Sequence, residues 1–521
     1  MAEHEIRRVL PRRLWRQLRL RPGDSFEGSP VEAVGRMHAL VYFCRGAMNV
    51  VDDRQIICTA HDVIGRVEMV HRCGTDVRIF RDGRPDQLDE SLVRQLYEIF
   101  DLPGEEDPLL LEPLVEFIRN GIGDGTIQSR PYLVLAERLS SYSGKEHETL
   151  WRALARIWGR ILGHELVITI ERVGSRVHEL TDGIGYREGD RLTPDDLRFE
   201  VGERYVVQSR IAHYRPPLPP ARRPFVRGTQ LLGGNITDLA MELNGGYAQY
   251  VRLNRQVIQS GSMLRVPAGV DPVSASLVEP AACLLDCFEH SVHEAGQSDT
   301  GALFKKGVMP GGVTAIIGSG SMAMMAAMMA LMDDPIIEVG GASEVVFFVR
   351  SQEKADLVQR IVNDPRVHAV IATEDEHMRQ AAASQYAPAY RSRWQREFRG
   401  FDDVVVAAGD ASTLAQAHRL IAPTGARVLA FAGTRGEATF DSSIWHYGNA
   451  GTVGNSGCNT KMMEIVLGLL QRRSLNLEPL SGHEYTLAQL KEEGPEGFFA
   501  DRHLRPRLNP NAGLKEWNWQ S

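Results

Sequence analysis

The sequence predicts an α/β protein with a β-rich domain, a helical insertion within that domain, and a doubly wound parallel sheet. Residues 38–82, and again the chain from 159 to 282, carry short apolar and β-branched runs separated by turn residues, which is typical of strands. Residues 84–158 instead place apolar residues at helical spacing. From residue 283 onward, short continuous apolar strands alternate with helices, the pattern of a parallel sheet covered on both faces.

These patterns divide the chain into segments. We expect a basic N-terminal arm over 1–37, a β-rich domain over 38–282, the parallel sheet over 283–448, and a return to the first domain with a C-terminal tail over 449–521. The helical insertion occupies 84–158 of the β-rich domain.

Composition excludes several classes of protein. The 521 residues carry a net charge of −8, which argues against nucleic acid as the main partner. No apolar run approaches the roughly 18 residues that a membrane-spanning helix needs, so no membrane partner is expected. Six cysteines in a chain of this length do not form a disulfide framework, and we expect a cytoplasmic protein that acts on a small molecule.

A glycine-rich turn opens the parallel sheet. In "VTAIIGSGSMA", Gly318, Gly320 and Ala323 have G-x-G-x-x-A spacing, with Ser321 and Met322 between them at the start of a helix. The first glycine permits a tight turn, the second lets the backbone approach a pyrophosphate, and the small third residue lets helix and strand pack closely. The strand before and the helix after the turn supply the context that a dinucleotide site requires. The alternative is a tight turn that binds no nucleotide.

The end of the next strand favours one nicotinamide cofactor. In "EVVFFVRSQEK", Val349 stands where an NAD site would have an acidic residue, and Arg350 and Ser351 follow it. An arginine and a hydroxyl suit a 2′-phosphate, so NADP is favoured over NAD. The alternative is that Arg350 is a solvated charge at a strand end. Two later turns follow strands of the same sheet and are further candidates for cofactor contacts: Ala408 with Gly409, and Ala432 with Gly433.

Four residues outside this turn have the chemistry of a metal site. Cys73 follows an apolar strand, His164 and Glu165 begin another, and Glu279 precedes the parallel sheet. A thiolate, an imidazole and a carboxylate form a catalytic zinc set that leaves one position for water or substrate. Taken singly, each has a simpler interpretation, since a strand-end cysteine is usually a core residue and a histidine before an acid can belong to a turn.

The order of the motifs resembles one known family. "RCGTD", "GHE", "VGERYVV", "GGYAQYV", "EPAAC" and "IIGSGSMA" follow one another as in the zinc-dependent medium-chain dehydrogenases. Within that family the chain looks most like the polyol or sorbitol dehydrogenase branch, including sorbose-phosphate-reductase-like members. The resemblance covers roughly 38–82 and 156–485, and it implies a GroES-like catalytic domain followed by a Rossmann domain.

The resemblance also implies roles for individual residues. Cys73 and His164 would be zinc ligands, and either Glu165 or Glu279 would supply the carboxylate. Thr75 would match the hydroxyl that relays the substrate proton. Two further matches are Asp76, the carboxylate that orients the ligating histidine, and Gly454, in a stretch near the nicotinamide. Homodimers or homotetramers are usual in the family.

Three departures from the family pattern bear on the prediction. The helical insertion separates the first two zinc ligands much more widely than is usual. Residues 208–245, where many relatives have a four-cysteine zinc lobe, contain no cysteine, so we expect one catalytic zinc per subunit. Arg78 replaces a common histidine and would suit an anionic substrate group such as a phosphate. The alternative for Arg78 is a surface arginine paired with a nearby acid.

Together these observations predict a zinc-dependent oxidoreductase. It would transfer a hydride between NADP and a polar secondary alcohol or ketone, such as a polyol, cyclitol or sugar derivative. The alternatives are a redox-neutral epimerase or lyase with tightly held nicotinamide, a zinc-free quinone or enoyl reductase, and a non-enzymatic scaffolding protein whose helical insertion is the functional surface.

Overall fold

The computed structural model describes residues 10–82 and 145–520, together with five residues between 92 and 99. Within these ranges it leaves out 45–46, 182–191, 213–235, 241–242, 300, 373–377, 379–397, 409, 434–435, 456, 503 and 516–518. The chain divides into two compact units, the first formed by Met1–Val266 with His483–Ser521 and the second by Pro267–Gly482.

The first unit is rich in antiparallel strands. Its strands are β1 (Ser25–Phe26), β2 (Ser29–Cys44), β3 (Ala47–Thr59), β4 (Val63–His71), β5 (Arg160–Ile161), β6 (Glu165–Val173), β7 (Arg204–Val207), β8 (Arg210–Ala212), β9 (Ile236–Asp238), β10 (Tyr250–Leu253), β11 (Met263–Arg265), β20 (Ser481–Thr486) and β21 (Arg505–Asn509). The prediction of strands in this domain is confirmed as far as His71 and again from Arg160 to Arg265. Because β2 begins at Ser29, the sheet starts inside the segment predicted as an N-terminal arm.

The largest sheet of this unit joins the two ends of the chain. Its order is β11–β7–β6–β4–β21–β20, with β10 also paired to β4. Strand β4 lies between β6 and β21, and His71 at its end pairs with Glu165 on one side and Arg507 on the other. The C-terminal segment is therefore a structural neighbour of the "GHE" motif.

Short helices complete the first unit: α1 (Arg12–Leu18), α2 (Gly74–Asp82), α3 (Lys145–Ile157), α4 (Arg255–Gln259), α12 (Leu487–Glu493) and α13 (Glu496–Ala500). The predicted insertion 84–158 lies mostly outside the described residues, and α3 is its last part. The buried Arg54 donates hydrogen bonds to the carbonyl oxygens of Ala155 and Gly159 at 3.0 Å, and to that of Trp158. A cation at the C-terminus satisfies carbonyls that have no partner within the helix.

The second unit contains the parallel sheet. Its strands are β14 (Val313–Ile317), β15 (Glu344–Val349), β16 (Val367–Ile371), β17 (Asp403–Val406), β18 (Arg427–Ala430) and β19 (Gly451–Gly454). The order β16–β15–β14–β17–β18–β19 is that of a doubly wound nucleotide-binding sheet. Strand order reverses at the junction of β14 with β17, where such sheets bind ligands beyond the carboxyl ends of the strands. The doubly wound parallel sheet predicted for this part of the chain is confirmed.

Helices and one hairpin surround this sheet. The helices are α5 (Pro272–Ala275), α6 (Val278–Glu289), α7 (Ser321–Ala330), α8 (Gln352–Val362), α9 (Ala411–Leu420), α10 (Ser443–Gly448) and α11 (Thr460–Gln471), and the hairpin strands are β12 (Val292–Ser298) and β13 (Gly301–Lys306). Helices α6 and α11 pack against each other, so the unit extends beyond the predicted limits at 283 and 448. Among the described residues, none of the helices combines the length and apolarity needed to cross a membrane.

Candidate active site

Cys73 lies in the link between β4 and α2. Its amide donates to Asp76 Oδ2 at 3.0 Å, and the Thr75 amide donates to Cys73 Sγ at 3.4 Å. The carboxylate in the first turn thus fixes the start of the helix, where negative charge is favoured. The prediction of strands as far as residue 82 is therefore wrong beyond His71, because this first-turn network makes the chain helical from Gly74.

Three predicted metal ligands meet in the first unit. The ligand atoms of Cys73, His164 and Glu165 all lie within 4.8 Å of one another. Glu165 is buried, whereas Cys73 and His164 are partly exposed. A thiol, an imidazole and a carboxylate at this spacing have the donor chemistry of a catalytic zinc site with one position left open. The side chains present therefore fit a zinc ion.

The Asp76 carboxylate contacts several polar groups next to these ligands. Its Oδ2 accepts from the Tyr247 hydroxyl at 2.8 Å, and its Oδ1 accepts from the Gly163 amide at 3.4 Å. His164 Nδ1 lies 3.9 Å from the same Oδ1. Burial raises the pKa of Asp76, while His164, Tyr247 and the Cys73 amide act in the opposite direction. Asp76 therefore lies beside His164, and its role in orienting that histidine stays a prediction.

Backbone hydrogen bonds join the "GHE" and "GGY" motifs. The Gly246 amide donates to Gly163 O at 2.7 Å, and the Tyr247 amide donates to Leu162 O at 3.0 Å. Gly163 has φ +85°, and a Cβ there would come within 2.6 Å of the Tyr247 ring. A side chain at residue 163 would therefore displace the tyrosine that supports Asp76.

Glu165 also contacts Arg505, a residue that the sequence patterns did not indicate. The Arg505 guanidinium forms an ion pair with its carboxylate, and both side chains are buried, at 7% and 1% exposure for Arg505 and Glu165. Strand β4 separates the two strands that carry them, so the contact forms across the sheet. A carboxylate has four lone-pair sites, which leaves acceptor capacity for a metal beside the arginine.

Thr75 and Arg78 face the same side of α2. The Arg78 guanidinium donates to Thr75 Oγ1 at 3.3 Å, Thr75 is partly exposed and Arg78 is exposed. Among the described side chains, Arg78 hydrogen-bonds to this hydroxyl and not to an acid. The alternative interpretation, a surface arginine paired with a nearby acid, is therefore not seen in this part of the chain. The structure thus places the predicted proton relay and the predicted anion-binding residue in contact.

The second unit forms the predicted glycine-rich turn. Gly318 follows β14 with φ +134°, and a Cβ there would come within 3.3 Å of the Ala407 backbone at the end of β17. Gly320 is the residue before α7, whose first residues are Ser321 and Met322, and Ala323 is fully buried. The turn therefore lies where the strand order reverses, at the N-terminus of α7, and a helix N-terminus favours a phosphate.

The other predicted cofactor residues lie at the same ends of the strands. Arg350 is exposed just after β15, and the Ser351 hydroxyl accepts from the Lys354 amide at 3.4 Å as the cap of α8. The cap gives Ser351 a local structural role, and its cofactor role stays a prediction. Ala408 follows β17, Ala432 and Gly433 follow β18, Gly454 ends β19, and Gly409 lies outside the described residues.

Glu279 lies in the second unit, in the first turn of α6. Its Oε1 is 3.6 Å from Cys283 Sγ, and its backbone carbonyl accepts from Cys458 Sγ at 3.8 Å. The prediction that Glu279 is a ligand of the Cys73 centre therefore stays a prediction, while its neighbours in the structure are two cysteines.

No protein-family model and no curated protein sequence matches this chain. Solved structures do match. Butanediol dehydrogenase from Bacillus subtilis is 14% identical with a TM-score of 0.55, covering 91% of this chain and 100% of its own. Galactitol-1-phosphate dehydrogenase from Escherichia coli has 14% identity, a TM-score of 0.54 and the same coverage. A zinc-dependent alcohol dehydrogenase from Streptococcus pneumonia has 15% identity, a TM-score of 0.52, and coverage of 92% and 100%.

This chain has the alcohol dehydrogenase fold, so the predicted combination of a GroES-like domain with a Rossmann domain is confirmed. Within this fold, the sequence motifs identified the three clustered donors and the glycine-rich turn. They did not identify Tyr247 and Arg505, which support the cluster from 171 and 340 residues away from their partners. The only sequence signal was the tyrosine of the quoted "GGYAQYV" motif, since an arginine in the C-terminal tail has no local pattern.

Proposed function

We propose that this protein is a zinc-dependent oxidoreductase that transfers a hydride between a nicotinamide dinucleotide and a polar secondary alcohol or ketone. The observation that carries the proposal is the convergence of Cys73, His164 and Glu165 within 4.8 Å. The glycine-rich turn at the reversal of a doubly wound sheet supplies the second requirement, a dinucleotide site.

Each side chain of the proposed active site has its own role in this reaction. Cys73, His164 and Glu165 would hold the metal, and a zinc ion there supplies Lewis acidity toward an alcohol or carbonyl oxygen. Asp76 holds His164 in orientation, and Tyr247 and the Gly163 amide hold Asp76. The Thr75 hydroxyl accepts a hydrogen bond from Arg78, which leaves its own proton free to be donated or exchanged. Thr75 is therefore the group we assign to proton relay.

Two arginines define the finer specificity that we propose. Arg78 is exposed beside Thr75 and would bind an anionic group on the substrate, so a phosphorylated polyol, cyclitol or sugar derivative is favoured. Arg350 is exposed after the second strand of the sheet and would bind the 2′-phosphate of NADP. Galactitol-1-phosphate dehydrogenase, one of the structures with this fold, acts on a substrate of the same class by its name.

A substrate screen tests the proposal directly. Polyols, sugar phosphates and cyclitols are each offered with NAD and NADP, and reduced nicotinamide is followed by absorbance. We expect turnover of a polar secondary alcohol with NADP preferred. Absence of turnover from zinc-loaded protein across the panel, in both directions, would contradict the proposal.

Two variants test the arginine assignments. Arg350→Ala should lower kcat/KM with NADP about tenfold and leave NAD unaffected, the effect of losing one charge-assisted hydrogen bond. Arg360→Ala, which removes an exposed arginine from the other end of α8, is the matched control.

Arg78→Ala should raise KM for phosphorylated substrates only, with Arg81→Ala on the same helix as its control. Equal effects on both cofactors, or on neutral and phosphorylated substrates alike, would refute the two assignments.

A further inference from the structure

A second group of metal-ligating side chains lies in the second unit. The ligand atoms of Glu279, Cys283 and Cys458 all lie within 4.8 Å of one another. Glu279 and Cys458 are each 7% exposed, and Cys283 is partly exposed. Two thiols and a carboxylate thus converge on one point that is largely shielded from solvent.

Local structure brings the three groups together. Glu279 and Cys283 are four residues apart on α6, which places them on one face of the helix. Cys458 immediately precedes Asn459, whose side chain caps α11 by accepting from the Met462 amide at 3.0 Å. Because α6 packs against α11, the cap of one helix faces the first turns of the other.

An asparagine fixes the segment that carries Cys458. Asn455 Nδ2 donates to Cys283 O at 2.6 Å, and also approaches Asp286 Oδ2 and Gly457 O at 3.1 Å each. The first two of these bonds tie the segment after β19 to α6 at Cys283 and Asp286. The position of Cys458 therefore does not depend on contacts among the three ligating groups alone.

The spacing suits a tetrahedral ion. Zinc binds thiolate sulfur at about 2.3 Å and carboxylate oxygen at about 2.0 Å, so a sulfur and an oxygen on one tetrahedral ion lie about 3.5 Å apart. The observed distance from Cys283 Sγ to Glu279 Oε1 is 3.6 Å. Thiolate ligands select zinc and other thiophilic cations over magnesium or calcium.

We propose that Glu279, Cys283 and Cys458 bind a zinc ion in the second unit, separate from the one held by Cys73, His164 and Glu165. The missing four-cysteine lobe at 208–245 does not affect this site, because none of its ligands comes from that segment. We therefore expect two zinc ions per subunit instead of one, and Glu279 belongs to the site of the second unit. On binding, the two thiols lose their protons to solvent and the ion takes their place.

The carboxylate favours a metal over a disulfide. A disulfide between Cys283 and Cys458 would need only the two sulfurs and an external oxidant, and it would form through a thiolate that the adjacent Glu279 charge disfavours. A divalent cation is instead attracted by all three groups once they are ionised. A nearby histidine is not required, since two thiolates and a carboxylate supply three of the four zinc positions.

Metal content of single and double variants tests the site. The full chain is loaded with zinc, freed of loose metal by a weak chelator, and measured by elemental mass spectrometry. We expect two zinc ions per subunit in the wild type, one in Cys73→Ser, one in Cys458→Ser, and none in the variant carrying both changes. Cys287→Ser is the matched control, because Cys287 lies on the same helix and is buried outside the cluster.

Cobalt gives a second readout that does not depend on activity. In the Cys73→Ser background, Co²⁺ should produce a thiolate-to-metal charge-transfer band in the near ultraviolet, and Glu279→Gln or Cys458→Ser should remove or weaken it while far-ultraviolet circular dichroism stays unchanged. Cys458→Ser protein with the wild-type zinc content overturns the proposal, as does purified protein in which Cys283 and Cys458 form a disulfide and only one zinc is bound. Loss of zinc only from Cys73→Ser would remove the second site and leave the proposed dehydrogenase function standing.

Discussion

Two groups of possible metal ligands differ in their chemistry: the Cys73 cluster, formed by Cys73, His164 and Glu165, and the Cys283 cluster, formed by Glu279, Cys283 and Cys458. In the first unit the donors include an imidazole, and a buried carboxylate, a tyrosine and an arginine stand behind them. In the second unit two thiols and a carboxylate lie between two helices, and Asn455 donates to the Cys283 carbonyl beside them.

This difference distinguishes the two proposed metal centres. Side chains that hydrogen-bond to a metal ligand fix its orientation and raise its basicity. Both properties are needed at a metal site where substrate binds and leaves. Structural zinc sites are commonly rich in thiolate ligands. The comparison therefore supports the proposal that the reaction takes place at the partly exposed Cys73 cluster and that a metal at the Cys283 cluster would stabilise the second unit.

The largest expected effect is the loss of the first cluster's thiol. Cys73→Ala should lower kcat/KM about a thousandfold or more, since Lewis-acid stabilisation is worth several kcal/mol and each 1.4 kcal/mol is tenfold in rate. It should also remove the zinc of the first unit, which elemental analysis would show. Cys58→Ala, at a buried thiol of β3 outside either cluster, should retain both activity and zinc. A Cys73→Ala enzyme with stoichiometric zinc and full activity would remove the contrast between the clusters.

The buried ion pair of the first unit should matter for stability. Arg505→Met leaves the Glu165 carboxylate buried and unpaired in the metal-free protein, which should cost about 3–5 kcal/mol in the free energy of unfolding. Arg507→Met on the same strand breaks a more exposed pair with Glu484 and should cost about 1 kcal/mol or less. Denaturant unfolding of zinc-free protein measures both. Equal losses in the two variants would mean that Arg505 does not neutralise Glu165.

Asp76 should tune zinc affinity without being a ligand. Asp76→Asn should weaken zinc binding about 10–100-fold, because it removes the charge behind His164. Tyr247→Phe removes one hydrogen bond to the same carboxylate and should fall between Asp76→Asn and the wild type. Competition with a chromophoric chelator gives the affinities. If both variants bind zinc as tightly as the wild type, the first cluster has no more outer support than the second.

The smallest effect concerns thiol reactivity and its pH dependence. Burial raises the pKa of Cys58 and of Cys287 to about 12. Only about one molecule in ten thousand then carries either thiolate at pH 8, and reactivity rises about tenfold per pH unit until pH 12. Iodoacetamide at pH 8 should leave both unmodified, while Cys73 reacts in metal-free protein and is protected by zinc. Peptide mass spectrometry would report each site, and modification of Cys73 that zinc does not reduce would count against its assignment as a ligand.

Sequence patterns predicted the parts of the molecule that are local in the chain. The glycine-rich turn, its flanking strand and helix, and the start of β6 at Glu165 all follow from short-range spacing. Contacts between distant segments were not predictable: Arg505 reaches Glu165, Tyr247 reaches Asp76, and Cys458 reaches Cys283. The helix after Cys73 was also missed, because its start depends on a side-chain bond to a backbone amide and its apolar residues resemble those of a strand.

The position of β21 beside β4 has a consequence for biosynthesis. The first unit is encoded in two pieces, and the strand that brings Arg505 to Glu165 is translated only after the whole second unit. A nascent chain with its N-terminal segment already folded would hold an uncompensated buried Glu165 carboxylate until β21 had been synthesised. The Arg505–Glu165 ion pair therefore forms late, and a ribosome-stalled or proteolytically shortened chain lacking β21 would keep this carboxylate unpaired.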